Sequence, residues 1–565
     1  MCGIYGVVGS TDINEVLTKL QRLEYRGYDS CGIAYMNDNI CYLAKSVGNT
    51  ALLRKEVINS KVQMAIGHTR WATHGLVNKT NAHPHVSSKN RFYVVHNGVI
   101  DNYLYLKNKY GFTMASTTDS EIVVHLLDYY INRFTIIEAL KLIMIELEGS
   151  FAIVIMDNED KNNLFFLKNK SPLLLGVSNN KVSLASDQLA FDNNANIIIL
   201  NDNNYGLITN NSYQIFSLGN NERWNSYYKN DDIRDLCIND SYMLNEILYQ
   251  PRMILNIANN YKKIDTLSFI DLLNGYDEII FVGAGSSYYA SRILRDFYES
   301  KLNKRCYSVI ASELKNFNII NKNVIFIFLS QSGETADLCD CLYYLKDKGY
   351  KIVSLCNNIN SQLGFNSDLV FPLFANAEIA VASTKALLAM IYVGKLLIDS
   401  SYLDNSSLIS NQIQNVINKW DLIHNYSKDV SKAKAVFYLG KSNDYNISLE
   451  GALKLREISY IHSFAFQSGE LKHGSIALID NEVMCIGVLS NPSLCSYIKN
   501  NLEEVRSRGA KTILISNCDS NSDIFIDGDE LSIVVCLQII AYQTAKLLNR
   551  NIDQPRNLAK SVTVL

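Results

Sequence analysis

The sequence predicts a layered α+β domain followed by two doubly wound α/β subdomains with parallel sheets. Residues 2–218 alternate short β-rich segments with a few helical patterns, which is typical of stacked sheets. The second half changes to a rhythm of strand, loop and helix, which indicates a parallel sheet. That order occurs twice, with Val324–Leu329 and Val483–Leu489 as corresponding strands, so we expect an internal repeat. A chain of 565 residues is also too long for a single hydrophobic core.

The domain boundaries follow from changes in composition and periodicity. The stretch Gly219–Asp240 is polar with little periodicity, which is typical of a linker, and a helical pattern resumes at Tyr242. We expect that helix to end at Pro251, because proline lacks the backbone N–H that a helix needs. The resulting divisions are the α+β domain at 2–218, the linker at 219–245, the first subdomain at 246–420, the second at 421–556 and a C-terminal tail at 557–565.

The composition argues against two classes of partner. Hydrophobic residues make up 48% of the chain and charged residues 19%, with a net charge of −3, which disfavours nucleic acid or an anionic membrane as partner. No signal peptide is recognised, and no apolar run reaches the roughly 18 residues of a membrane span. The longest candidate, Leu387–Ile398, contains Lys395. We therefore expect a cytoplasmic protein that binds neither nucleic acid nor membrane.

The cysteines and histidines do not form a metal-binding pattern. The 12 cysteines include no C-x-x-C, and the closest pair is Cys339 and Cys341. Among the nine histidines, His83 and His85 come nearest to a ligand array. We expect no bound metal or other cofactor, and cysteines that stay reduced in the cytosol.

Cys2 is the first candidate for chemistry. Removal of the initiator methionine would leave Cys2 with both a thiol and a free α-amine. The pKa of an α-amine lies near about 7.7–8.0, where a general base works well at neutral pH. The amine could take the thiol proton through a water, which is the chemistry of N-terminal nucleophile enzymes.

Two apolar segments predict the walls of a pocket for this nucleophile. Met64–Ile66 is expected to be a strand that opens into a loop over Gly67–Gly75. Val94–Ile100 is expected to be a second strand, broken by a tight Asn-Gly turn. Thr118 is expected to cap a helix over Ile122–Tyr130.

The polar residues of these segments suit an amide substrate with an amino-acid end. The Arg70 guanidinium can hold a carboxylate through two hydrogen bonds, and the Asp119 carboxylate can hold an ammonium group. The Asn97 side-chain amide and the Gly98 backbone N–H can form an oxyanion hole.

A polar hexapeptide in the second half predicts a phosphate site. Ser330–Thr335 follows a predicted strand and precedes a predicted helix, so its hydroxyl and N–H groups converge on a helix N-terminus. In doubly wound sheets, ligands bind at this end of the strands.

The first half resembles the class II glutamine amidotransferases, in particular the glutaminase half of the glucosamine-6-phosphate synthase family. The resemblance is carried by Arg22–Ser30, the HTRWATHG segment at 68–75, Asn81–His85 and His96–Gly98. It implies an N-terminal nucleophile (Ntn) glutaminase sandwich in which Cys2 attacks glutamine while Asn97 and Gly98 stabilise the oxyanion. It further implies glutamine binding by Arg70, Trp71, Thr73, His74, His83 and Asp119, and gating of ammonia by Arg26, Tyr28 and Trp71.

The second half resembles the sugar isomerase (SIS) domains of the same family. The matching segments are LSQSGETAD at 329–337, VASTK at 381–385, Leu449–Ser459, GELKHG at 469–474 and DQPRNLAKSV at 553–562. The resemblance implies that fructose 6-phosphate is bound by Ser286, Ser287, Ser330, Gln331, Ser332, Thr335, Val381 and Ser383.

The same resemblance implies catalytic roles for four residues. Lys560 would form a Schiff base with the ketone carbon, and Glu457 would move a proton between C1 and C2. Lys454 would support that transfer. His473 would assist ring opening from the neighbouring subunit, which implies a homodimer.

The expected reaction converts fructose 6-phosphate and glutamine to glucosamine 6-phosphate and glutamate, the first step of hexosamine biosynthesis, with internal transfer of ammonia. Two other hypotheses stay open: a related SIS enzyme acting on another sugar phosphate or a fructosamine adduct, and a sugar-phosphate-binding regulator without activity. Phosphoribosyl amidotransferases share the first half only. Asn245 and Tyr249 stand where the family usually has Lys and Glu, so coupling between the two halves is an open question.

Overall fold

The computed structural model of the chain describes residues 2–72, 74–178, 181–193, 195–219, 226–228 and 239–563. It divides into two compact units, Met1–Ile233 with Ser561–Leu565, and Arg234–Lys560. Residues 220–225 and 229–238 of the predicted linker lie outside the described residues, as does Thr73.

The first unit contains two antiparallel sheets. Its strands are β1 (Gly3–Asp12), β2 (Ser30–Asn37), β3 (Ile40–Val47), β4 (Lys61–Arg70), β5 (His85–Val86), β6 (Phe92–Ile100), β7 (Gly149–Asp157), β8 (Leu164–Asn169), β9 (Leu174–Ser178), β10 (Lys181–Ala185), β11 (Asn196–Ile199), β12 (Asn204–Ile208), β13 (Tyr213–Ser217) and β14 (Ser226–Tyr228). The eight-stranded sheet has the order β14-β11-β9-β10-β1-β4-β2-β3, and the six-stranded sheet has the order β13-β12-β8-β7-β6-β5.

The two sheets pack face to face, and helices cover their outer faces. Ile4 and Ile66 of one sheet share a buried apolar layer with Val95, Val154 and Phe166 of the other. The helices are α1 (Ile13–Leu23), α2 (Thr50–Glu56), α3 (Tyr103–Tyr110), α4 (Ile122–Tyr130) and α5 (Ile136–Glu146). α1 packs on β1 and β4, whereas α4 packs on β6. This arrangement confirms the predicted α+β sandwich.

The predicted Asn-Gly turn is wrong, because β6 runs unbroken through both residues. Asn97 pairs with Ala152 and Gly98 with Phe151 of β7. Gly98 has a φ of +123°, and a Cβ there would lie 1.8 Å from the Ser150 carbonyl oxygen. Glycine is therefore required by a close backbone contact inside the sheet rather than by a turn.

The predicted helix cap at Thr118 is also wrong. Thr118 makes no capping hydrogen bond, and a short 3₁₀ turn over Asp119–Glu121 precedes α4. The Thr118 hydroxyl is hydrogen-bonded to His85 Nε2 at 3.0 Å instead. The loop predicted from Gly67 begins only after Arg70, because β4 continues to that residue in register with β1 and β2.

The second unit contains two parallel sheets. Their strands are β15 (Glu278–Gly283), β16 (Arg305–Ile310), β17 (Val324–Ser330), β18 (Lys351–Cys356), β19 (Leu369–Pro372), β20 (Ala435–Gly440), β21 (His462–Gln467), β22 (Val483–Leu489), β23 (Lys511–Ser516) and β24 (Ile524–Phe525). The two sheets have the same topology, with the strand orders β16-β15-β17-β18-β19 and β21-β20-β22-β23-β24. In each of them, the strand that comes second along the chain lies at one edge. They confirm two doubly wound α/β subdomains.

The helices of the second unit unite the two sheets around one core. They are α6 (Tyr242–Tyr261), α7 (Leu267–Asn274), α8 (Ser286–Leu302), α9 (Ala336–Asp347), α10 (Gln362–Asn366), α11 (Lys385–Leu396), α12 (Ser401–Asp404), α13 (Ser406–Asn418), α14 (Trp420–Val430), α15 (Asn443–Ser459), α16 (Cys495–Arg506) and α17 (Glu530–Leu547). Ile327 of one sheet and Ile486 of the other belong to a single buried apolar cluster. α8 packs against α15, so the helices that follow β15 and β20 meet side by side.

α17 is long and apolar enough to span a membrane by composition, contrary to the expectation that no segment would be. Its mean hydropathy is 1.2, and 83% of it is buried within the chain. A helix that is apolar on all sides and buried on all sides is typical of a protein core. It is the one such helix in the part of the chain that the structure describes.

α6 continues through Pro251, so the predicted helix end there is wrong. Proline removes the N–H that would bond the carbonyl of Ile247 four residues earlier. The side chain of Gln250 replaces it, since its Nε2 donates to the Ile247 carbonyl at 3.3 Å and to Gln538 Oε1 at 2.8 Å. A buried side-chain amide therefore compensates for the proline.

Gln250→Leu should destabilise the second unit, because it leaves the Ile247 carbonyl and the Gln538 side chain without a donor in a dry environment. We expect a loss of about 1–3 kcal/mol in the free energy of unfolding. Urea denaturation followed by circular dichroism measures it, with Arg252→Gln on the exposed face of α6 as control. Equal unfolding midpoints for the two variants would contradict this account.

Candidate active sites

Cys2 is held at the end of β4 by strand pairing. Gly3, the first residue of β1, pairs with Thr69, which places Cys2 beside Trp71. The Trp71 N–H donates to Cys2 Sγ at 3.2 Å. The Cys2 carbonyl oxygen accepts from Arg26 Nε at 3.1 Å and from Asn97 Nδ2 at 2.9 Å. The nucleophile predicted from the sequence and the predicted oxyanion donor are therefore in contact.

The surroundings of Cys2 keep its thiol protonated at rest. Burial raises the pKa of the Cys2 thiol, while the Trp71 N–H and the charges of Arg70 and Arg26 act in the opposite direction with less effect. A protonated thiol needs a base to become a nucleophile. This requirement fits an α-amine on the same residue.

Arg70, the predicted partner for a substrate's carboxylate, lies near both Cys2 and Asp119, the predicted partner for its ammonium group. Burial lowers the pKa of Arg70, while the nearby Asp29 and Asp119 carboxylates act in the opposite direction with less effect. The Arg70 guanidinium donates to the carbonyls of His74 and Leu76, and Asp119 Oδ2 accepts the Ile100 N–H at 2.8 Å. Both charged groups are almost fully buried, so they are held in place before any ligand arrives.

The residues predicted to gate ammonia surround the same point. Arg26 pairs with Asp187, Nη1 to Oδ2 at 3.0 Å. The Tyr28 ring meets Trp71 edge-on, with centroids 6.0 Å apart. His74 is partly buried and lies edge-on to Tyr103. Thr73 lies outside the described residues.

Four buried histidines form a layer behind Asn97. His68 and His83 stack with centroids 4.1 Å apart, and His83 Nδ1 accepts the His96 N–H at 3.1 Å. His83 also meets His85 at 4.6 Å. Burial lowers the pKa of His68 and of His85 to about 3. Burial also lowers the pKa values of His83 and His96. His83, predicted to bind glutamine, is thus observed in contact with other histidines, and its predicted role stays a prediction.

The predicted phosphate loop lies at the C-terminal end of β17. Ser330 Oγ accepts the Gly333 N–H at 2.9 Å, and Ser332 Oγ accepts the Glu334 N–H at 3.2 Å. Gly333 has a φ of +69°, and a Cβ there would lie 1.9 Å from Ser361 Oγ. Gln331 lies within this loop, Thr335 directly precedes α9, and Ser286 and Ser287 begin α8. Two helix N-termini therefore carry the predicted phosphate ligands.

A chain of buried contacts connects one of these helix starts to the predicted proton shuttle. Ser286 Oγ donates to Glu450 Oε1 at 3.2 Å, and Glu450 lies 3.5 Å from Lys454 Nζ. Lys454 Nζ in turn donates to Glu457 Oε2 at 2.7 Å. Burial and the neighbouring Glu457 raise the pKa of Glu450 to about 7, although Lys454 opposes this. Glu450 was not predicted from the sequence, because nothing local distinguishes it from the other charged residues of the same helix.

Lys560, the predicted Schiff-base residue, is buried and paired with Glu378. Its Nζ donates to Glu378 Oε2, which also accepts from Ser383 Oγ at 3.2 Å. Burial would raise the pKa of Glu378, but the Lys560 ammonium and backbone N–H groups outweigh it and lower that pKa. Burial and the Glu378 charge raise the pKa of the nearby Glu246 to about 8. Sequence analysis did not predict Glu378 or Glu246. The feature that could have indicated each of them is an acidic residue inside an otherwise apolar stretch.

Asp553 anchors the tail that carries Lys560. Its carboxylate accepts the N–H groups of Tyr242 and Met243 at 2.8 and 2.9 Å, which caps α6. Its carbonyl accepts the N–H of Val381, another predicted sugar contact, at 3.0 Å. His473 is exposed, and within the described residues it does not pair with Glu457 or Lys560.

Comparison with known proteins matches both units. The glutamine amidotransferase domain family matches residues 68–193, and the SIS domain family matches 272–400 and 429–523. Glutamine–fructose-6-phosphate aminotransferases (isomerizing) from Staphylococcus epidermidis, Staphylococcus aureus and Shouchella clausii are 38%, 37% and 37% identical, each over 100% of both chains. The chain belongs to the glutamine–fructose-6-phosphate aminotransferase family.

A solved member of the aminotransferase family shares the fold of one part. The C-terminal domain of glucosamine-fructose-6-phosphate aminotransferase from Francisella tularensis is 31% identical, with a TM-score of 0.52, and covers 56% of this chain and 98% of its own. In the present chain, no group of three or more His, Cys, Asp or Glu side chains among the described residues is arranged to hold a metal ion.

The buried histidines should make the first unit sensitive to mild acid. Folding keeps them neutral, whereas the unfolded chain binds their protons below about pH 6.5, so stability falls as the pH drops from 6.5 toward the folded pKa of about 3. At pH 5 we expect a loss of roughly 2 kcal/mol for each of His68 and His85 relative to pH 7. Urea denaturation at the two pH values measures it.

The matched variant for this test is His85→Gln, whose amide can still bond the Thr118 hydroxyl but does not titrate. It should show a smaller difference between pH 7 and pH 5 than the parent chain. An unchanged difference would mean that His85 does not contribute to the acid sensitivity.

Proposed function

We propose that this chain converts fructose 6-phosphate and glutamine to glucosamine 6-phosphate and glutamate. The observation that carries the proposal is the full-length match to aminotransferases of this name, together with a nucleophile site in one unit and a Lys–Glu site in the other. Each unit supplies residue types that the corresponding half-reaction needs.

In the first unit, Cys2 would attack the glutamine side-chain amide. Its α-amine, freed by removal of Met1, would take the thiol proton and pass it to the leaving ammonia. Asn97 Nδ2 has two hydrogens, of which the Cys2 carbonyl takes one in the resting structure, so the second can stabilise the oxyanion together with the Gly98 N–H. Arg70 and Asp119 would hold the amino-acid end of glutamine.

In the second unit, the loop Ser330–Thr335 and the start of α8 would bind the phosphate of fructose 6-phosphate. His473 would assist ring opening, and Lys560 would form an imine at C2 with loss of water. After ammonia has displaced Lys560, Glu457 would move the proton from C1 to C2, supported by Lys454. The pair of buried Lys454 and partly exposed Glu457 has the right chemistry because a carboxylate beside a fixed ammonium can accept and return a proton.

Glu378 has a role in this scheme that the sequence did not reveal. Lys560 Nζ forms an ion pair with Glu378 Oε2, and an amine in its ammonium form is not nucleophilic. Attack on C2 therefore requires Lys560 Nζ to give up a proton, and Glu378 Oε2 is in contact to receive it. The raised pKa of Glu246 leaves Glu378 as the ionised member of the two acids.

We also propose an oligomeric state, a route for ammonia and a cellular compartment. The exposure of His473 is what a residue serving a neighbouring subunit would show, so we propose a homodimer. Ammonia would travel internally to the sugar, since protonation by bulk water would abolish its nucleophilicity. The near-neutral charge supports a cytoplasmic enzyme without nucleic-acid or membrane partners.

Product formation tests the reaction. Glucosamine 6-phosphate should form from fructose 6-phosphate with glutamine, and Cys2→Ala should abolish this activity because it removes the thiol that attacks the amide. Mass spectrometry of the product, with ammonium chloride as an alternative donor, measures both steps. Product from ammonium in Cys2→Ala would show that the second unit is intact.

Two outcomes favour the other hypotheses. Glutaminase activity without amination of fructose 6-phosphate would favour a related SIS enzyme with another sugar phosphate or a fructosamine adduct as substrate. Absence of activity with either donor, combined with binding of fructose 6-phosphate, would favour a regulator.

Glu378→Gln tests proton transfer from Lys560. Borohydride traps a Lys560–fructose 6-phosphate imine, which peptide mass spectrometry detects. Without the carboxylate, Nζ loses the contacting group that receives its proton, so the rate of trapping should fall by about 100-fold. Glu378→Asp is the charged control, and Lys560→Arg should give no adduct. A trapping rate that Glu378→Gln leaves unchanged would contradict the role given to Glu378.

A further inference from the structure

We propose that His68 is a positioning residue that fixes the orientation of the Asn97 side-chain amide, and thereby the oxyanion hole of the glutaminase site. The inference rests on the proposed function of that site and deepens it. It follows from the hydrogen-bonding capacity of the atoms around Asn97.

Two backbone carbonyls determine which atoms face each other. Asn97 Nδ2 lies 2.9 Å from the Cys2 carbonyl oxygen, which can only accept, so the amide nitrogen must be on that side. The amide oxygen therefore faces His68, with Oδ1 3.1 Å from Nε2. His68 Nε2 is also 3.0 Å from the His96 carbonyl oxygen, which again can only accept. Nε2 must then carry the hydrogen.

The surroundings leave His68 a single tautomer and a single orientation. The ring is fully buried, and it lies against the His83 ring at an angle of 13°. Burial lowers the pKa of His68 to about 3, so the ring is neutral and carries one N–H at neutral pH. Nδ1 has no hydrogen-bond partner among the described residues, so moving the hydrogen there would lose both contacts of Nε2.

This arrangement matters because an asparagine amide can rotate by 180° with little change in shape. The rotated amide would bring Oδ1 toward the Cys2 carbonyl and turn its N–H groups away from the nucleophile. An oxyanion hole acts through donors that are already oriented when charge develops. The His68 N–H opposes the rotation, because the rotated amide would present a donor to it.

The test compares two amide side chains that differ by one methylene. His68→Gln can place its amide nitrogen near the position of Nε2, whereas His68→Asn reaches only the position of Nδ1. Removal of an oxyanion donor costs about 10²–10³-fold in kcat, so loss of its orientation should cost about 10–100-fold. We expect that loss in His68→Asn and a kcat within about 5-fold of the parent in His68→Gln.

Two further readouts separate positioning from a general structural effect. Alkylation of Cys2 by iodoacetamide needs the thiol but no oxyanion hole, so its rate should be unchanged in both variants. The KM for glutamine should stay within about 3-fold, because Arg70 and Asp119 are not contacted by Nε2.

Three outcomes would overturn the proposal: equal kcat in the Gln and Asn variants, a parallel loss of kcat and alkylation rate, or a rise in KM that accounts for the whole effect. Failure of the proposed function is distinguishable, because the parent chain would then release no glutamate from glutamine.

Discussion

The pairing of β1 with β4 is the constraint on which the glutaminase site depends. Cys2 has no secondary structure of its own, and its position comes entirely from the strand that begins with Gly3. Because β4 ends at Arg70, Trp71, which directly follows it, lies beside the thiol. β6 approaches from the second sheet and brings Asn97 to the Cys2 carbonyl. The predicted nucleophile is thus fixed by backbone hydrogen bonds on rigid elements, which hold geometry better than loops do.

The second unit obtains its site by a different route. Its predicted phosphate-binding residues lie on loops and helix starts at the ends of parallel strands, and charged side chains next to them form chains of contacts. Ser286, Glu450 and Lys454 connect the start of α8 to Glu457, and Glu378 receives the tail through Lys560. Buried charges are costly unless paired, so each of these groups holds its neighbour in place.

Sequence reasoning reached the fold class and the residues that carry distinctive local chemistry. Cys2, Arg70 and the Ser330 loop could be predicted because a rare residue or a dense polar run marks them in one stretch of chain. Glu378 and His68 could not, since their roles come from partners 182 and 29 residues away. Asn97–Gly98 was assigned to a turn because the dipeptide favours turns locally, whereas pairing with β7 along its whole length decided otherwise.

The hydrogen bonds between Asp553 and the start of α6 restrict how far the Lys560 amine can move. Lys560 is the seventh residue after Asp553, so the tail between them can extend at most about 25 Å. An amine confined to that radius has an effective concentration in the millimolar range or higher, whatever the enzyme concentration. The same carboxylate caps the first turn of α6, whose N–H groups lie 311 and 310 residues earlier in the chain. Fraying of that distant helix end would therefore release the anchor and lower the effective concentration of the Lys560 amine.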